Sequence, residues 1–213
     1  MSDLYVKNDL YCRMNTTDEC TIAQVREDYY QLEFENQICL DIGANIGAFA
    51  RFALNHGAKK VYSYEPHPGN FEMLKKNQRG LMETYQVAIA KSVLSRYLYI
   101  KQDGFESMHS ITKKWGVKAI KVCCIPIMQP ILEYQPTILK IDIEGAEHEL
   151  FNYKQTLPQC IKQVAIELHN FTPGDIRKSQ ELLRWLIDQN FKYIRTPLLT
   201  EEHDSTICIM QRK

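Results

Sequence analysis

The 213-residue chain has no run of eighteen apolar residues, so no segment is expected to span a membrane. Its first residues, MSDLYVKNDLYC, lack the basic and apolar regions of a secretory signal. There is no Lys/Arg block and no basic tail. The 26 basic residues balance 26 acidic ones, which gives little electrostatic support for gripping a nucleic-acid backbone. The nearest thing to a basic cluster, Lys75, Lys76 and Arg79, reads as a solvated helix face. Seven cysteines occur without a CxxC pair, so a zinc site is not expected, and the odd count fits a reduced, cytoplasmic-type compartment. Cys39 and Cys123, inside apolar runs, read as small core residues. No repeat or low-complexity tract is visible.

What is present is an ordinary globular composition, 45% hydrophobic and 24% charged, long enough for one sizeable core. Apolar β-type runs alternate with segments of helical period. Strands are expected at 38–42, 61–65, 85–90, 95–101, 119–125, 137–142, 163–168, 191–195 and 205–211. Helices are expected at 47–56 (Phe49, Phe52 and Ala53 on one face, Gly57 as its stop), 68–77, from about Ala146, and 174–190 with Ile176, Leu183, Leu186 and Ile187 toward the core. This βαβα order implies an α/β fold with a mostly parallel central sheet. Residues 37–213 read as one domain. Residues 1–36 form an N-terminal appendage, whether lid, hairpin or short helix. In such sheets ligands bind beyond the carboxyl ends of the strands, so the residues that follow each strand carry the functional reading.

The first of these is LDIGANIGAF, residues 40–49. Gly43 and Gly47 bracket a tight strand-to-helix turn, where glycine permits positive φ and close approach to the backbone. The spacing is not GxGxxG. Asn45 stands where a dinucleotide fold needs backbone access for a pyrophosphate, and Asp41 adds negative charge. S-adenosylmethionine, with a sulfonium, an ammonium and no phosphate, suits these features better. Asp41 is expected to meet its amino-acid end, directly or through water. Glu65, followed by Pro66 at the end of the next strand, can accept both ribose hydroxyls.

The stretch LDIGANIGAFARFALNHGAKKVYSYEPHPGNFEMLKKN resembles the cofactor half of the FkbM-type S-adenosylmethionine-dependent methyltransferases. ILKIDIEGAEHELF resembles that family's second signature. The resemblance runs from about residue 38 to 170 and does not reach residues 1–36. It implies a Rossmann-like class I methyltransferase fold: a mostly parallel seven-stranded sheet, helices on both faces and a C-terminal antiparallel hairpin. It also implies cofactor contacts from Asp41, Gly43, Asn45, Gly47, Glu65 and Pro66, with Ala88 beside the adenine. The implied acceptor is a hydroxyl oxygen, often on a sugar or glycan.

In KIDIEGAEHELF, Asp142 ends a strand and Glu144 lies in the turn at Gly145. Glu147 reads as a helix-opening acid that favours the dipole, and His148 as an exposed neighbour. IELHN places Glu167 and His169 on one side of the next strand, followed by Asn170. Methyl transfer to an alcohol needs the acceptor aligned and its proton removed. His169 is the expected base, with Asp142, Glu144 and Glu167 as further catalytic candidates. Asp142, Glu167 and Asn170 could instead hold Mg²⁺. A metal-free base is preferred, because Leu168 stands where an adjacent acid pair is wanted. The stretch 103–115 is polar, with Gly104, Ser107, His109, Ser110 and Trp115; it reads as a solvated loop or as a loop over the site, with Ser107 and His109 as candidate contacts. Tyr5, Tyr11, Tyr29 and Tyr30 could stack on a sugar.

The competing enzyme reading is an NAD(P)-dependent oxidoreductase, which needs phosphate space at residues 43–48. An amino-methylating nucleic-acid enzyme would show an Asp/Asn-Pro-Pro-aromatic run where this chain reads Asp142-Ile-Glu-Gly. A non-catalytic protein on the same fold is the remaining alternative.

Overall fold

The computed structural model describes residues 4–92, 95–100, 109–112, 118–200 and 204–213. The appendage is both a hairpin and a helix. Strands β1 (Leu4–Lys7) and β2 (Leu10–Arg13) pair antiparallel across Asn8 and Asp9, both at positive φ. Short polar residues adopt that conformation at low cost, which suits a two-residue hairpin turn. Helix α1 (Asp18–Tyr29) follows.

The central sheet begins with β3 (Ile38–Ile42), α2 (Ala48–Asn55), β4 (Lys60–Tyr64), α3 (Pro68–Asn77) and β5 (Met82–Tyr85). Helix α3 starts where expected, because Pro68 opens its first turn and the His67 ring accepts from the Asn70 N–H at 3.3 Å. The expected strand at 85–90 is split. Gln86 and Val87 carry the chain out of the sheet to β6 (Ala88–Ala90). With β7 (Ser95–Ile100), β8 (His109–Ser110) and β9 (Lys118–Pro126), β6 makes a second sheet in the order β6-β9-β7-β8.

A short helix that the pattern did not reveal, α4 (Met128–Tyr134), returns the chain to β10 (Ile138–Ile141). Its seven residues carry Pro130 in the first turn, where a missing N–H costs nothing, and three prolines between 126 and 136 hide the period. The chain closes with β11 (Gln163–His169), α5 (Pro173–Ile187), β12 (Phe191–Arg195) and β13 (Ser205–Arg212).

The main sheet has seven strands in the order β12-β13-β11-β10-β3-β4-β5. Five neighbouring strands, β11 to β5, run parallel. β13 is antiparallel to both β11 and β12, so the sheet is mixed. One face packs on α1, α2 and α3 through Phe49, Ala53 and Leu74; the other packs on α4 and α5 through Ile131, Leu182 and Leu186. No helix among the described residues is long and apolar enough to cross a membrane.

Four local expectations are corrected. The segment after Ala146 forms only a single 3-10 turn, Glu147–Glu149. There the Glu147 carboxylate accepts from the Ile143 and Gly145 N–H groups behind it and closes that turn instead of opening a helix. His148 is buried and hydrogen-bonds Ser179 Oγ at 2.8 Å. Ile187 is 46% exposed, because the buried stripe of α5 runs through Ser179, Leu182, Leu183 and Leu186. Cys123 is exposed, because Val122 and Cys124 take the inward positions of β9 and alternation turns Cys123 out.

Candidate active site

The period of two along the parallel strands decides which side chains meet. Cys39, Ile138 and Ala165 belong to the core under α1 and α2, so Asp41, Lys140, Glu167 and His169 lie on that same face. Register places Lys140 beside Asp41, and Asp41 beside Ser63. At the carboxyl ends of β3, β4, β10 and β11 this face opens into a cavity of about 280 Å³, where a doubly wound sheet binds its ligands.

The glycine turn forms the floor. The Gly43 and Ala44 N–H groups both donate to the Tyr64 carbonyl. Gly43 has φ +80°, and a Cβ there would collide with the Asp142 carbonyl, so only glycine lets the ends of β3 and β10 approach. Gly47, at φ +90°, does not line the cavity: a Cβ would press on Met82 and Leu74. There it serves packing at the start of α2.

Asn45 and Glu65 form one unit. The Asn45 N–H donates to Glu65 Oε2 and the His67 N–H to Glu65 Oε1, each at 2.8 Å. Burial pushes the Glu65 carboxyl up to about 7, against the pull of these two hydrogen bonds. Asn45 is itself at positive φ, and its buried Oδ1 has no hydrogen-bond partner among the described residues. Glu65, Asn45, Pro66 and Ala88 all line the cavity.

Asp41 does not. It is 0% exposed, accepts from Ser63 Oγ at 3.3 Å and lies 3.2 Å from the Lys140 ammonium. Lys140, only 3% exposed, also donates to the Gly43 carbonyl at 2.7 Å and sits 3.6 Å from Asp142. Burial pulls the lysine's pKa down, but the Asp41 and Asp142 charges outweigh it and leave it raised. The acid expected to face a ligand is thus the buried counter-ion of a lysine that sequence reasoning passed over. The available signal was a lysine inside the apolar run ILKI, on a strand paired with one that carries an acid.

The second cluster converges on His169. Its Nδ1 lies 2.9 Å from Glu147 Oε1, and its Nε2 lies 3.4 Å from Glu144 Oε2 and 3.8 Å from Glu167 Oε1. Burial disfavours the imidazolium, but Glu147, then Glu144 and Glu167, reverse this and raise the ring's pKa well above its ordinary value. That shift favours the protonated ring, which disfavours the expected role of His169 as base. Burial first, then the neighbouring carboxylates, pushes Glu144 up to about 8 and Glu167 up to about 7. Glu167 accepts from Ser205 Oγ at 2.7 Å. Glu144 adopts φ +56° beside Gly145 at +96°, and Glu147, fully buried, pins that turn. Asn170 faces away, accepting from Ser179 Oγ at 2.8 Å, so it is not placed to join a metal set with Asp142 and Glu167.

The appendage completes the wall. Thr21, Gln24, Val25 and Tyr29 of α1 line the cavity. Arg13 holds one end of the helix through Asp18 and reaches Asn70 Oδ1 at 2.9 Å; Arg195 holds the other through Asp28 at 3.1 Å. Of the four tyrosines considered, Tyr29 alone reaches the cavity, while Tyr30 is 65% exposed. His109 lines the cavity and Ser110 is buried beside it. Gly104, Ser107 and Trp115 lie outside the described residues.

Comparison with known proteins agrees with this architecture. Residues 41–193 match the Methyltransferase FkbM domain. Over 148 residues the chain is 21% identical to the hexuronic acid methyltransferase AglP of Haloferax volcanii, covering 68% of this chain and 61% of that one. A 36-residue stretch is 53% identical to Hemolysin A of Brachyspira hyodysenteriae, but it spans 17% of this chain and 15% of that one. The crystal structure of methyltransferase FkbM from Methylobacillus flagellatus superposes with a TM-score of 0.54 at 16% identity, over 86% of this chain and 45% of that one. The chain therefore spans less than two thirds of the length of these relatives, and the structural likeness shows the fold.

Proposed function

The chain belongs to the FkbM methyltransferase domain family, whose usual methyl donor is S-adenosylmethionine, and on that premise we propose that it methylates a hydroxyl of a sugar or glycan. The observation that carries the donor is Glu65. Its two oxygens are each fixed by one backbone N–H and each keeps a lone pair at the cavity, the pattern that receives a vicinal diol such as a ribose. The unpartnered Asn45 Oδ1 beside it offers a further acceptor.

Charge supports the same reading over a dinucleotide. Lys140 is the sole lysine or arginine among the described lining residues, and it is spent on Gly43, Asp41 and Asp142. No lysine or arginine among the described lining residues is left to meet a pyrophosphate, whereas the acids suit a cationic ligand. A sugar acceptor is supported by the distant likeness to a hexuronic acid methyltransferase and by Asp142, Glu144 and Glu167, carboxylates placed to accept from sugar hydroxyls.

The bound donor supplies an electrophilic methyl group. The chain's own residues align the acceptor and remove its proton. Glu167 takes the base role in place of His169: it faces the cavity, is fixed by Ser205, and its raised carboxyl matches a proton acceptor working near neutral pH. His169, anchored to Glu147, orients Glu144 and Glu167. The test is incubation with donor carrying a deuterated methyl group and a panel of glycosides, followed by mass spectrometry and linkage analysis. Label on a hydroxyl oxygen is expected. Label on nitrogen, or turnover of NAD(P)H instead, would overturn the assignment.

A further inference from the structure

We infer that Asp142, Glu144 and His169 form a binding site for a divalent cation of the Mg²⁺/Mn²⁺ class, with Glu147 as the residue that orients the histidine. One ligand atom from each of the three lies within 4.8 Å of the others. That is close to twice a metal–ligand bond of about 2.1–2.4 Å, so one ion can reach all three. Neighbouring ligands on such an ion stand about 3 Å apart, and His169 Nε2 and Glu144 Oε2 are 3.4 Å apart.

The histidine makes this more than a group of acids. His169 is 4% exposed, and its hydrogen bond among the described residues is through Nδ1, to Glu147. Glu147 is in turn locked by the Ile143 and Gly145 N–H groups. Nε2 is left aimed into the space between the carboxylates. A carboxylate fixed on one ring nitrogen while the other faces oxygen donors is the arrangement that orients metal-bound histidines. Two carboxylates and one imidazole leave further coordination positions open to water or an acceptor oxygen on the cavity side. Oxygen-rich donors favour Mg²⁺ or Mn²⁺, and the imidazole favours Mn²⁺ of the two.

The site differs from the Asp142, Glu167 and Asn170 set that sequence spacing suggests. Asn170 is engaged behind the strand, and Glu144 enters through its left-handed turn. The site stands on these residues alone. Its use, lowering the pKa of an acceptor hydroxyl beside Glu167, rests on the proposed methyl transfer.

The experiment is titration of Mn²⁺ into the full chain, read by loss of the free-ion electron paramagnetic resonance signal. A parallel calorimetric titration with S-adenosylhomocysteine in EDTA is run on the same preparation. One equivalent of Mn²⁺ should bind. Binding should be lost in Asp142→Asn and Glu144→Gln, and Glu147→Gln should weaken it roughly 10–100-fold. Circular dichroism confirms that each variant is folded; should one fail to fold, Mg²⁺ competition against Mn²⁺ on the wild-type chain tests the same site. Absence of bound Mn²⁺, or binding untouched by both ligand substitutions, overturns the site. If S-adenosylhomocysteine still binds in that case, the methyltransferase reading stands without the metal. Mn²⁺ binding without S-adenosylhomocysteine binding keeps the metal and removes the donor.

Discussion

Replacing Glu65 by glutamine tests the donor site on two axes at once. Each carboxylate oxygen already accepts one backbone N–H, from His67 or Asn45, at 2.8 Å, and each has one lone pair left for a ribose hydroxyl. Glutamine keeps one such acceptor and turns an NH₂ toward the other hydroxyl and a backbone donor. A hydrogen bond to a charged group contributes about 1.5–3 kcal/mol, so losing one should weaken S-adenosylhomocysteine binding roughly tenfold to a hundredfold at pH 8. The second axis is pH. Burial raises the Glu65 carboxyl to about 7, whereas hydroxyl donors require the ionised form, so affinity is present above that value and lost as pH falls through it. With about a tenth of the chains ionised at pH 6 and about nine tenths at pH 8, wild-type binding should be roughly tenfold weaker at pH 6. The Glu65→Gln variant should show no such slope. Isothermal titration calorimetry at the two pH values measures both effects. Equal affinity of variant and wild type at pH 8, or a wild type flat between the two values, would refute the assignment of Glu65 to the ribose.

Three further substitutions follow from the same geometry. Lys140→Met leaves Asp41, 0% exposed, without its cation and should cost about 3–5 kcal/mol in a denaturant melt; the double variant with Asp41→Asn should recover part of that loss, and additive losses would show that the pair is not coupled. Gly43→Ala forces a side chain into φ +80° against the Asp142 carbonyl and should cost about 2–4 kcal/mol, so an unchanged melting temperature would contradict the close approach of β3 and β10. His169→Ala should keep S-adenosylhomocysteine affinity within about twofold, because the ring's polar partners are Glu147, Glu144 and Glu167 and not Glu65 or Asn45, and should lower methyl transfer by at least about tenfold; wild-type turnover would remove His169 from the acceptor side.

Much of the frame was legible in the sequence, because the parallel strands are buried on both faces and read as apolar runs. ICLDI at 38–42 and the helix at 68–77 stand where the pattern puts them. The acids at strand ends were legible for the same reason, since fold class fixes which ends face a ligand. What stayed hidden depends on register between distant strands. Asp41 looked like a ligand contact until pairing with β10 set Lys140 beside it. His169 looked like a base until the turn at 143–147 folded Glu144 and Glu147 around it. Glu147 looked like an ordinary helix-opening acid because two of its partners are backbone N–H groups, which leave no mark on composition, and the third, His169, lies 22 positions away. The contribution of α1 to the cavity wall was open for a similar reason: the arginines that hold it, Arg13 and Arg195, act across 57 and 167 positions of the chain, on Asn70 and Asp28.

The central claim is that this cavity is built for S-adenosylmethionine and not for a dinucleotide. Parallel calorimetric titrations of the full chain with S-adenosylhomocysteine and with NADH test it most directly. Micromolar binding of S-adenosylhomocysteine with no binding of NADH is the expected result; binding of NADH alone would contradict the account at its base and make the Glu65 carboxylate the ribose site of an oxidoreductase.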